Sequence, residues 1–202
     1  MKTHTFVLVG IGALLGVLLI ALVSTQAARP PEFQGSLITP AVPAKNFLLF
    51  NQNEQPFQLS DQRGKVVLLF FGYTFCPDVC PTTLFAFRQI HERLSDRAGE
   101  VVFVFVTVDP DRDTPAQLKN HLALFSPDFV GLTGEPAQLE MVWTDYFVEP
   151  KKQPGAGAAG YLVDHTGRVY VIDRLGDLRL TFPFGLSVEA MFQDVMTLLK
   201  EK

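Results

Sequence analysis

Both cysteines of this 202-residue chain, Cys76 and Cys80, lie in the stretch Gly72-Tyr73-Thr74-Phe75-Cys76-Pro77-Asp78-Val79-Cys80-Pro81. Three residues separate them, and each is followed by proline. Proline fixes φ and lacks an N–H, so it suits the first helical position and little beyond it. A helix therefore starts at Pro81, with Cys76–Cys80 as a tight turn leading into it, or its path starts earlier, at Pro77. In the second case four residues of ~1.5 Å rise set the two Cα atoms about 6 Å apart, within the ~4.4–6.8 Å that a disulfide spans. In both, the sulfurs sit near the positive end of a helix dipole, which favours thiolate. Such a pair can hold a soft metal ion or form and break a disulfide. A purely structural bridge is a weaker reading, because closing so short a loop constrains the unfolded chain very little.

Redox catalysts of the thioredoxin type use Cys-x-x-Cys, and here an extra residue intervenes. Two thiolates select Cu(I), zinc or iron–sulfur chemistry. A closed zinc site takes four ligands and an iron–sulfur cluster four cysteines, so two cysteines exclude the cluster. Cu(I) accepts two or three soft ligands, and a histidine can supply the third. Of the four histidines, His4 stands beside an apolar N-terminal run, while His91 and His121 fall inside helical patterns, where a lone histidine is usually packed or solvated. His165 lies in the turn-like Asp164-His165-Thr166-Gly167, ahead of a strand. Functional side chains favour such loops, so His165 is the best candidate, although its spacing alone does not bring it to the cysteines.

The elements around these residues alternate between strand and helix. Val66–Phe71 and Val101–Val108 are continuous apolar runs too short for helices, which suits strands buried on both faces. Leu84, Phe87, His91 and Leu94 follow helical spacing after the cysteines, up to Ser95–Gly99. Thr114-Pro115 is a cap followed by an N1 proline, and Ser187 caps a last helix running to about Leu199. Pro136–Phe147 reads as a helix, Asn46–Leu59 as two short strands around a turn, and Phe129–Leu132, Tyr161–Val163, Val169–Asp173 and Leu178–Phe182 as strands. Lys151–Gly160, rich in Gly and Ala, reads as a mobile loop. The pattern implies an α/β domain with a mostly parallel central sheet flanked by helices.

With a net charge of −4 and scattered basic residues, the chain offers no nucleic-acid surface. Phe6–Val23 is a run of 18 residues without a charge. It is long for the h-region of a cleaved signal, although Thr25-Gln26-Ala27 resembles a cleavage site, and it meets the lower limit for a membrane span. The expectation is an anchor over residues 1–26, a proline-rich tether over 27–44 and a folded domain over 45–202. Lys2 argues for a cytoplasmic N-terminus and a domain outside. The lack of an Arg- and Ser-rich presequence points to the inner membrane of a bacterium, with the domain facing the periplasm or exterior.

Three ordered motifs, Gly-Tyr-Thr-Phe-Cys-Pro-Asp-Val-Cys-Pro, Val-Asp-Pro-Asp-Arg-Asp-Thr-Pro (Val108–Pro115) and Tyr-Leu-Val-Asp-His (Tyr161–His165), together resemble the Sco/SenC family over roughly Lys45 to the C-terminus. The resemblance implies a thioredoxin-like fold and a membrane-anchored copper protein that assists assembly of the binuclear copper centre of cytochrome c oxidase, with oxidase subunit II as its partner. It places the copper ligands, for Cu(I) and also Cu(II), on Cys76, Cys80 and His165. It sets Asp109 and Asp113 near the site without making them ligands. Relatives often carry histidine where this chain has Phe75, which puts more weight on His165. Copper chaperone is therefore the first reading. A membrane-anchored thiol:disulfide oxidoreductase using the Cys76–Cys80 pair to reduce the oxidase subunit is the second. A thiol peroxidase ranks last, because Tyr73 stands where that chemistry expects Thr or Ser.

Overall fold

The computed structural model describes residues 32–154 and 160–201. The expected anchor over Phe6–Val23 lies outside them, and among the described residues no helix is long and apolar enough to cross a membrane. The fold starts at Phe33, twelve residues ahead of the expected boundary at Lys45.

Among the described residues ten strands form: β1 (Ser36–Pro43), β2 (Leu48–Asn51), β3 (Pro56–Gln58), β4 (Val66–Gly72), β5 (Val101–Thr107), β6 (Val130–Thr133), β7 (Lys151–Pro154), β8 (Tyr161–Asp164), β9 (Val169–Ile172) and β10 (Asp177–Phe182). Four α-helices accompany them among the described residues: α1 (Val79–Leu94), α2 (Pro115–Ala123), α3 (Pro136–Asp145) and α4 (Val188–Leu198). Eight strands make one sheet in the order β1-β10-β9-β4-β5-β6-β2-β3, while β7 and β8 pair only with each other. The sheet is mixed rather than mostly parallel. Only β4–β5 and β5–β6 run parallel, because these strands are joined through α1 and α2, whereas the short connection from β9 to β10 forces an antiparallel pair.

The central strands behave as their composition demands. Every residue of β4 is buried, and alternation sends Phe70 toward Phe87 and Phe105 while Phe71 faces Tyr146 and Tyr170. Helices α1 and α4 pack together, α2 lies against β6 and α3 against β2. Thr114 and Ser187 cap their helices, accepting from the N–H of Gln117 and of Ala190, as the pattern predicts.

Two further expectations need correction. Within the expected tether, Ser36–Pro43 is the edge strand β1, paired antiparallel with β10. Its register breaks between Leu37 and Val42, and an outer strand tolerates Pro40 and Pro43, whose missing N–H would spoil an inner one. The Asp194 carboxylate anchors the entry by accepting from the N–H of Gln34 and Gly35 at 2.9 and 2.7 Å. Within the expected loop, Lys151–Pro154 is strand β7, its register with β8 running Lys151 to Asp164 through Pro154 to Tyr161. Because β7 is exposed along its length, it carries no apolar alternation to read.

Candidate metal and thiol site

Helix α1 begins at Val79, between the two starts that the prolines allow. Pro81 is then the third helical residue, still within the first turn, where an N–H has no helical partner to lose. Asp78, in the cap position, makes no side-chain capping bond. The Cys76 sulfur takes that part, accepting from the Cys80 N–H at 3.4 Å, so the cysteine turn is built as an anion-holding helix start. Both cysteines are free thiols, Cys76 half-buried and Cys80 buried.

His165 comes to them from 85 residues away, its Nε2 lying 3.5 Å from the Cys80 sulfur. Its Nδ1 is 2.9 Å from the Thr166 carbonyl, which can only accept. That contact keeps the ring proton on Nδ1 and leaves the Nε2 lone pair aimed at the sulfurs. The three donor atoms lie within 4.8 Å of one another, and among the described residues this is the group able to hold a metal ion. Edge-on contacts with Phe70 and Tyr73 fix the plane of the imidazole.

The two sulfurs differ in character. A hydrogen bond from the Cys80 thiol, helped by the backbone N–H of Asp78 and Cys80, outweighs burial and holds Cys76 down to about 3. Burial pushes Cys80 up, and its bond to Cys76 keeps it protonated. Cys76 is thus the half-buried thiolate and Cys80 the buried thiol. Alkylation of the reduced protein by iodoacetamide is expected to proceed through Cys76 at a rate almost constant from pH 8 down to pH 5. An ordinary thiol loses about tenfold per pH unit below its pKa of about 8.5. A rate that falls in step with proton concentration over this range would show that Cys76 is not held as thiolate.

The surrounding residues explain how the donors stay in place. Gly72 faces the same side as Phe70, and a Cβ there would stand 2.7 Å from the Cys80 sulfur and 2.9 Å from the Phe105 and Phe70 rings. Asp113, fully buried, accepts from the Thr74 hydroxyl at 2.6 Å, the Thr74 N–H at 3.1 Å and the Thr107 hydroxyl at 2.7 Å. It thereby ties the start of the cysteine turn to the end of β5. Asp109, also buried, pairs with Arg112 and accepts from the Tyr161 hydroxyl at 2.7 Å. The Tyr73 hydroxyl accepts from the Val163 N–H at 3.2 Å.

Asp109 and Asp113 therefore support the site from behind, as expected, and do not enter the donor group. His91 pairs with Asp128 at 3.3 Å, and His121 packs against Phe105 and Phe125, its basicity lowered by burial. Neither joins the cysteines, and His4 lies outside the described residues. The roles of Gly72, Tyr73, Arg112 and Tyr161 had no signal in composition or spacing, although each stands inside one of the three motifs.

The SCO1/SenC family model matches residues 38–200. The chain belongs to the SCO1/SenC family. Among its relatives, a SCO2-like protein of Rickettsia felis is 36% identical over 171 residues, covering 84% of this chain and 82% of that protein. The structure of Bradyrhizobium japonicum ScoI with copper bound is 39% identical, with a TM-score of 0.72 over 79% of this chain and all of that one. BsSco, described as a member of the Sco family of cytochrome c oxidase assembly proteins and as carrying a disulfide switch, shares the fold at 23% identity, with a TM-score of 0.64 over 81% of this chain and 96% of that one. The thioredoxin-like architecture expected of a Sco/SenC protein is thus the one observed.

Proposed function

We propose that this SCO1/SenC protein is a copper carrier that binds the metal through Cys76, Cys80 and His165 and delivers it to the binuclear copper centre of cytochrome c oxidase subunit II. The observation that carries the reading is the imidazole at the thiols: Nε2 with its lone pair 3.5 Å from the Cys80 sulfur. Disulfide exchange needs two thiols and no nitrogen. Two sulfurs and one imidazole suit Cu(I), and the imidazole also helps to hold Cu(II). The copper in ScoI and the assembly role attributed to the Sco family agree with it. The uncharged run Phe6–Val23 is the proposed single anchor in a bacterial inner membrane, with the folded part on the periplasmic side.

The test is anaerobic Cu(I) titration of the reduced full chain in detergent against a competing chelator, beside His165→Ala. One copper per chain is expected, held at least about tenfold less tightly in the variant. Equal affinity in the two proteins would remove His165 from the site. No binding beyond the chelator's share would overturn the carrier reading.

The unlike sulfurs support a second activity on the same residues. The Cys76 thiolate attacks one sulfur of a client disulfide, forming a mixed disulfide and releasing one client thiolate. The Cys80 thiol then loses its proton and attacks Cys76 sulfur, closing Cys76–Cys80 and releasing the second client thiolate. The client gains two electrons and the pair loses them. His165→Ala is expected to leave this exchange largely intact while weakening copper, which separates the two activities.

A further inference from the structure

His165 follows directly on β8, and β8 pairs only with β7 and not with the main sheet. The hairpin therefore needs fastenings of its own, and the side chains supply them at alternate residues of β8. At Val163 the N–H donates to the Tyr73 hydroxyl. At Tyr161 the carbonyl accepts from Arg112 at 3.0 Å, and the phenol donates to Asp109. The Arg112 guanidinium lies 3.7 Å over the Tyr161 ring and 4.9 Å from the Phe75 ring. It thus touches both the hairpin that carries His165 and the residue before Cys76. Lys152 adds an ion pair to Asp111 at 2.5 Å, but both partners are exposed and such pairs contribute little.

We propose that Asp109, Arg112 and Tyr161 form a latch that holds the β7–β8 hairpin, and with it His165, against the cysteine turn, and that this latch sets how fast copper leaves. The three are positioning residues and do not touch the metal. This deepens the carrier reading and rests on His165 being the third donor. The buried Asp109 carboxylate fixes the guanidinium, the guanidinium fixes the Tyr161 ring and carbonyl, and the strand transmits that placement four residues on to the imidazole. Arginine is the residue for this task, since its planar fork can stack on two rings while donating in its own plane.

The test uses Tyr161→Phe, Arg112→Lys and His165→Ala in the full chain in detergent, with two measurements. The first, on the reduced metal-free proteins, is amide hydrogen exchange. In both latch variants the amides of Lys151–Gln153 and Tyr161–Asp164 are expected to exchange about tenfold faster, with β4 and β5 unchanged. The second is the rate of Cu(I) loss to excess chelator, expected to rise about tenfold in Tyr161→Phe and to approach the His165→Ala rate in Arg112→Lys. Unchanged hairpin exchange in both variants would overturn the latch. A loosened hairpin with unaltered copper loss, while His165→Ala releases copper faster, would overturn its control of the metal. If His165→Ala itself leaves copper loss unaltered, the ligand assignment fails, and hydrogen exchange still decides whether the latch exists. Tyr161→Phe removes one hydroxyl and keeps the ring, so the question stays answerable even if Arg112→Lys does not fold.

Discussion

Gly72→Ala is expected to weaken copper binding by about 100-fold while leaving both thiols and His165 in the chain. The added methyl group would stand 2.7 Å from the Cys80 sulfur and 2.9 Å from two phenyl rings. Cys80, Phe70 and Phe105 are all buried, so none can swing into solvent to make room. Either the sulfur moves away from Cys76 and His165, or β4 shifts against β5. Overpacking of this kind costs about 1–3 kcal/mol, and the displaced sulfur adds the loss in affinity. Competition titration with Cu(I), paired with thermal unfolding of the metal-free protein, separates the two effects. Wild-type affinity in a destabilised variant would mean that the core, not the thiol, takes up the strain. The same substitution at Gly64 makes a useful control for folding, since its Cβ would meet nothing within 4 Å and only the positive φ of 91° would be strained.

Asp113→Ala is the second large effect, and it falls first on stability. The carboxylate accepts from the Thr74 N–H, the Thr74 hydroxyl and the Thr107 hydroxyl inside the protein. Its removal leaves buried donors without an acceptor, at a cost of about 3 kcal/mol. For a domain of this size that corresponds to a fall in Tm of roughly 6–12 °C. Asp113→Asn keeps one acceptor oxygen and is expected to lose about half as much. The pH dependence provides an independent check. Burial raises the Asp113 carboxyl above its ordinary value, so the folded protein holds this proton to higher pH than the unfolded chain does. Ionisation of Asp113 therefore lowers stability as pH rises from the unfolded toward the folded pKa, and low pH relieves that loss. A stability difference between wild type and Asp113→Asn that narrows with rising pH is the expected signature. A difference independent of pH, with a small Ala effect, would show that solvent reaches the carboxylate.

These residues mark where the sequence can be read directly and where it cannot. Val66–Phe71 and Val101–Val108 announce themselves because a strand buried on both faces must be apolar at every position. Thr114-Pro115 and Ser187 announce helix starts because capping is local chemistry. Cys76 and Cys80 were legible as a pair for the same reason, although their spacing alone left metal binding and disulfide exchange both open. His165 was different. Its partner stands 85 residues away; its loop position made it the best of four histidines, and only the resemblance to a known family joined it to the cysteines. Gly72, Tyr73, Arg112 and Tyr161 act through contacts that exist only once β5, β8 and the cysteine turn meet, and no local pattern encodes such a meeting. Strand β1 was misread because four prolines between Ala27 and Pro43 imitate a linker, while an edge strand with a broken register absorbs two of them.

The two outermost strands of the large sheet have a bearing on how a client can be met. β1 carries Pro40 and Pro43 and a break in register, and β3 is three residues long and begins with Pro56. Neither offers a long, straight row of backbone donors and acceptors, so another polypeptide has little to zip onto. Recognition by strand addition, which reads a partner through its main chain, is closed off at this sheet. At the edges of this sheet a partner protein has to be read through side chains, and selectivity there can change with point substitutions on the surface while the sheet stays as it is.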